Sequence, residues 1–159
     1  MKGYQKLLCC LLGVLPWGSE AATSTLTVKV TVTSPPPCVI NNDQPIVVQF
    51  DEVMTTQVDG THYRRPVNFT LSCTGGVSNA LKLQVYQSNV GFDGQVLRTD
   101  KAGLGIALLL RGERLAVNSW LNFTYPTKPV LEVVPVRQAG VTLTGGKFSA
   151  SAILKVAYQ

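Results

Sequence analysis

The side chains able to do chemistry are few and scattered. A single histidine, His62, lies between Thr61 and Tyr63 in a turn-rich stretch, so chemistry that needs a second imidazole is ruled out. No serine sits in a Gly-x-Ser-x-Gly elbow that could pair with it. Gly103-Leu104-Gly105 lacks the third glycine and the following helix of a dinucleotide-binding loop, and reads better as strand-edge glycines. The acids Asp51 and Glu52 adjoin a predicted strand end and are expected to be solvated rather than to form a catalytic pair. Asn68-Phe69-Thr70 and Asn122-Phe123-Thr124 match the glycosylation sequon, a pattern short enough to arise by chance. No catalytic, cofactor-binding or metal-ligating residue is assigned, and the expectation is a protein that is not an enzyme.

The cysteines carry more information. Residues 1–21 read as a signal peptide: Lys2 and Lys6 form a positive n-region, Leu7 to Leu15 an apolar run broken by Pro16, and Ser19-Glu20-Ala21 a small-residue cleavage site. That run is too short to span a bilayer, and Cys9 and Cys10 belong to it. Export through an oxidising compartment leaves Cys38 and Cys73, an isolated pair read first as a disulfide. A structural zinc site would need more ligands than this pair and His62 offer. Losing Lys2, Lys6 and Glu20 takes the formal net charge from +5 to +4, dispersed apart from Arg64-Arg65, which gives a nucleic-acid partner little support.

Everything else must be scaffold, and the scaffold is patterned for strands. Pro45 to Phe50, Val67 to Cys73, Ala80 to Tyr86, Trp120 to Tyr125 and Val130 to Arg137 read as short strands between turn signals such as Asn41-Asn42-Asp43, Asp59-Gly60 and Gly75-Gly76. Leu104 to Leu110 is nearly all apolar, as suits a strand covered on both faces. Pro135 favours an edge or a bulge where it falls. No stretch shows helical periodicity with caps. The class is therefore all-β, an immunoglobulin-like sandwich of one domain.

Two stretches stand apart. From Gly146 the sequence reads GKFSASAILKVAYQ, with Phe148, Ala150, Ala152, Leu154, Val156 and Tyr158 on one parity. With nothing after Gln159 in the sequence, this strand is expected to leave an apolar edge that invites another strand. Near the other end, STLTVKVTVT alternates Leu26, Val28, Val30 and Val32 with Thr and Lys, then meets Pro35, Pro36 and Pro37. Three consecutive prolines favour a stiff, extended segment, so this arm is expected to project from the body or to join a distant edge.

These features resemble the chaperone-usher family of pilus subunits. The likeness rests on the signal peptide, the alternating arm before the first cysteine, and the cysteine pair bridging the first strands. It also rests on the V-x-F-x-L-x-C run from Val67 to Cys73, the GLGI from Gly103 to Ile106, and a terminal strand with Gly at position 146 and penultimate Tyr158. It covers essentially residues 22–159 and looks closest to the minor or adaptor subunits of mannose-binding-type pili. The resemblance implies an incomplete sandwich lacking its seventh strand, with 1–21 a signal peptide, 22–37 a donor-strand arm and 38–159 the pilin domain. It implies that Leu26, Val28, Val30 and Val32 are donor knobs. Phe148 to Tyr158 would edge an acceptor groove, and the Gln159 carboxylate would be held by a periplasmic chaperone. The implied partners are that chaperone, an outer-membrane usher and neighbouring subunits, without stable membrane insertion. The implied place is the cell surface, in a fimbrium reached through the periplasm, where the fibre supports adhesion. The arm departs from the family in having Val30 where a glycine is usual, and in its proline run. The competing expectation is a complete secreted immunoglobulin-like domain with its own ligand site, in which Ser24 to Thr33 pairs within its own sheet.

Overall fold

The computed structural model describes residues 38–75 and 78–159; the arm and signal segment lie outside the described residues. Within them the chain is built from ten short antiparallel strands: β1 (Cys38–Ile40), β2 (Arg65–Pro66), β3 (Leu71–Cys73), β4 (Ala80–Tyr86), β5 (Val96–Arg98), β6 (Leu104–Leu110), β7 (Glu113–Leu115), β8 (Trp120–Thr124), β9 (Leu131–Arg137) and β10 (Ile153–Tyr158). They form a three-stranded sheet in the order β10-β4-β8, a larger sheet in the order β2-β9-β6-β5 with β7 also on β6, and a small β1-β3 pair. Cys38 and Cys73 face each other in that pair and are joined by a disulfide, as expected.

Alternation decides which face each strand buries. In β4, Leu81 and Leu83 are fully buried, and Leu83 packs with Phe69 and Leu131 against inward residues of β8 and β10, including Phe123, Leu154 and Val156. From the larger sheet, Ile106 and Leu108 of β6 and Val133 of β9 meet Val85 across the interior. β6 is the centre of the molecule: its first six residues are all buried, with Ala107 and Leu109 in a second cluster on its other face. That matches an uninterrupted apolar run.

Gly105 lies inside β6 rather than at a strand edge. A Cβ there would stand 2.6 Å from Cγ2 of Val96, so only glycine admits the close approach of β5. Pro135 also sits within a strand, paired with Ile106 in an unbroken register. The neighbouring β2 reaches only to Val133, so that flank of β9 has no ladder partner at Pro135 among the described strands, which is where an absent N–H is tolerated.

The expected strands were shortened in three places. Pro45 to Phe50 enters no ladder among the described residues. Val67 to Cys73 is divided between partners, because the Val67 N–H donates to Leu131 O of the larger sheet while Leu71 to Cys73 turn to β1. The terminal strand is laddered only from Ile153, against β4. Three short strands had no sequence expectation, β2, β5 and β7; β7 follows β6 through Arg111 and Gly112, both at positive φ, the geometry of a two-residue hairpin turn.

Candidate functional site

The three shortened stretches converge on one feature. Ile46, Val48 and Phe50 line one side of a groove of about 340 Å³ between the sheets, and Phe148, Ala150, Ala152 and Leu154 line the other. Its floor is the interior itself, including Val85, Ile106, Leu108 and Val133. Both rims set apolar side chains on the groove at every second position, the period of a strand, while Val47 and Ile153 of the other parity are exposed. On one flank β10 is paired to β4; its other flank faces the groove with no ladder partner among the described strands. The rims resemble two open edges facing each other across the groove.

What fixes the C-terminal rim is a set of polar clasps that sequence reasoning missed. The Ser149 N–H and hydroxyl donate to the Asp100 carboxylate at 2.8 and 2.9 Å, while the Asp100 N–H donates to Ser149 O. The Ser149 N–H and then its hydroxyl hold the Asp100 carboxyl below the usual carboxylate range. Gln87 stands in for a peptide unit: its amide donates to Ser151 O and Arg98 O and accepts from the Arg98 N–H. Lys101 Nζ donates to Gly145 O at 2.7 Å, beside Gly146 at φ +118°, a conformation that favours glycine. Backbone groups at 145, 149 and 151 are thus fixed by side chains from the β5–β6 loop and from Gln87 just after β4. The Phe50 and Phe148 rings meet across the two rims at 5.9 Å, closing one end of the groove.

The residues expected to form the site divide by place. Phe148, Ala150, Ala152 and Leu154 line the groove; Val156 packs further along with Leu83, and Tyr158 is half-buried opposite Leu81. Gln159 completes the sheet, its N–H donating to Ala80 O and its amide to Leu81 O and Phe123 O. Leu26, Val28, Val30 and Val32 lie outside the described residues. The opposite rim had been read only as another strand, although the alternation of Ile46, Val48 and Phe50 was a legible signal.

The groups considered for chemistry lie elsewhere. His62 Nδ1 is 2.7 Å from Asp59 Oδ2 on an exposed turn. The His62 N–H, with the Thr61 N–H and hydroxyl, holds the Asp59 carboxyl far below the usual carboxylate range. That accounts for the residues as an Asx-type turn. Asp51 is exposed and pairs with Arg65 at 3.3 Å. Among the described residues no group of three or more potential ligands is placed to hold a metal ion.

A family model for fimbrial proteins matches residues 25–159. The fimbrial-like protein YfcR of Escherichia coli K12 is 34% identical over 96% of this chain and 91% of its own length. YfcQ of the same organism is 31% identical, over 99% of both chains. Among solved structures, the P pilus adaptor subunit PapF aligns over 79% of this chain and 98% of its own, with a TM-score of 0.56 and 29% identity. The P pilus rod subunit PapA aligns over 77% and 99% with a TM-score of 0.60; at 22% identity it speaks for the fold alone.

Proposed function

The chain belongs to the fimbrial protein family, and from that premise we propose that its inter-sheet groove is an acceptor for an extended strand donated by another pilus subunit. The protein is a structural fimbrial subunit, exported and displayed at the cell surface, in a family and fold of structural subunits rather than enzymes. The observation that carries the groove's role is the juxtaposition of two alternating rims, with no ladder between them, over an apolar floor. An added strand gains main-chain hydrogen bonds along both rims and buries alternate side chains between the sheets.

In this reading residues 1–21 are removed on export, 22–37 form the donor arm and 38–159 the pilin domain. Leu26, Val28, Val30 and Val32 are the knobs offered to the next subunit. Burying four such side chains would yield on the order of 6–12 kcal/mol of gross gain before ordering costs. A periplasmic chaperone fills the groove first, and exchange for a subunit's arm follows at an outer-membrane usher. The likeness to an adaptor subunit supports a minor or adaptor position. No catalytic activity is assigned. A complete immunoglobulin-like binding domain would close its own sandwich, and two rims with no ladder between them argue against that.

The test is urea unfolding of two oxidised chains: residues 34–159 alone, and the same residues with 22–33 attached after Gln159. A gain of several kcal/mol from the attached arm, abolished by Val28→Asp with Val30→Asp, is the expected result. Equal stability of the two, each with a cooperative transition, would overturn the acceptor reading.

A further inference from the structure

The face of the small sheet turned away from the groove carries a second pattern. Register places Ile153 beside Tyr86, Lys155 beside Gln84 beside Trp120, and Ala157 beside Lys82 beside Asn122. No acid occupies any of these positions. Lys155 Nζ lies 3.5 Å from the Tyr86 ring centroid, and Lys82 Nζ lies 5.2 Å from that of Trp120. Neither lysine is in an ion pair among the described residues. Gln84 is buried and spends its amide on Asn118 O, so the centre of the face is not a hydrated polar site. Trp120 nevertheless remains 44% exposed and Ile153 58%.

We infer that this face binds an anionic polysaccharide. Two unneutralised ammonium groups stand on diagonal neighbours about 7–8 Å apart at the backbone, each steadied by a flat ring. Such an array fits a ligand that repeats carboxylate or sulfate groups along a chain of rings whose C–H faces can lie on an exposed indole, and Asn122 offers an amide to hydroxyls. An acidic protein surface would use the charges but not the flat aromatic strip. A nucleic acid would use both, but a protein displayed at the cell surface meets glycans first. Strand addition uses the opposite parity of β10, so a strand seated in the groove leaves this face uncovered.

The experiment measures binding of the exported full chain to immobilised heparin, hyaluronate and neutral dextran across a salt series. Single-stranded DNA and phosphatidylglycerol vesicles serve as rival anions. The expected result is salt-sensitive binding to heparin and hyaluronate and none to dextran. Trp120→Ala should weaken it roughly tenfold, as loss of an aromatic stacking platform does. Lys82→Gln with Lys155→Gln should weaken it at least as much, and Lys147→Gln, on an exposed site at the groove's far end, should leave it unchanged. Trp120 and Lys147 are exposed and Lys82 and Lys155 half-buried, and an unaltered urea transition confirms folding. Failure to bind either charged glycan, equal binding by the Trp120 and double-lysine variants and the parent, or tighter binding to DNA or vesicles than to heparin would each overturn the inference.

Discussion

The β6–β9 ladder and the groove rims are made from similar sequence and come to different ends. β6 and β9 each run seven residues, pair along their whole length and bury nearly every side chain. The Pro45 to Phe50 rim and the 148–152 rim also carry apolar residues at strand spacing, yet neither enters a ladder among the described residues. Apolar alternation therefore encodes which face turns inward. Whether a strand finds its neighbour in the same chain is a separate matter, and at the groove side-chain clasps from Asp100 and Gln87 take over from a ladder.

The comparison can be tested from its strongest point to its weakest. Replacing Cys38 and Cys73 with Ser removes a link that closes a 35-residue separation and should cost about 4 kcal/mol in denaturant unfolding, irrespective of whether a strand fills the groove. Leu83→Ala, in the fully buried interior, should cost about 3 kcal/mol in the bare and the strand-filled protein alike. Ile46→Ala, on the half-buried rim, should cost about 1 kcal/mol in the bare protein and more once a strand is bound. Equal penalties for Ile46→Ala in both states would erase the distinction between rim and core.

The smallest effect concerns Asp100. Its carboxyl is held below its ordinary value of 3.8, so its contribution is fully present above that value and fades as pH falls through the lowered one. Hydrogen exchange at the Ser149 amide should accelerate on acidification below about pH 4, relative to the intrinsic rate, while β6 amides show no matching change. Asp100→Asn should bring the faster exchange to neutral pH.

Much of this was legible beforehand, for reasons that can be located. β4, β6, β8 and β9 are long enough for period two, or for an unbroken apolar run, to declare itself. β5 and β7 have three residues each, too few for any period, and they are strands because β6 is beside them. The Val67 to Cys73 run was readable as extended, but its change of partner midway depends on where β9 and β1 lie. The disulfide followed from composition and compartment. The 148–154 rim was found because its alternation is long, and the 46–50 rim was seen without its role, since a groove is a relation between two segments about a hundred residues apart. Asp100 and Gln87 are ordinary loop polar residues until the fold brings them to Ser149 and Ser151.

The order β10-β4-β8 also sets a tempo. The middle strand must wait for β8, and then for β10 from the far end of the sequence, with Leu81 pairing Tyr158. Contacts so distant along the chain make for slow assembly, because loop-closure entropy is lost before burial compensates it. In that interval the inward side of β4, with Leu81, Leu83 and Val85, lacks the cover that Leu154 and Val156 of β10 bring. A chain of this topology therefore passes through a window of aggregation risk whose length is set by its last strand, and a partner that captured β10 early would shorten it.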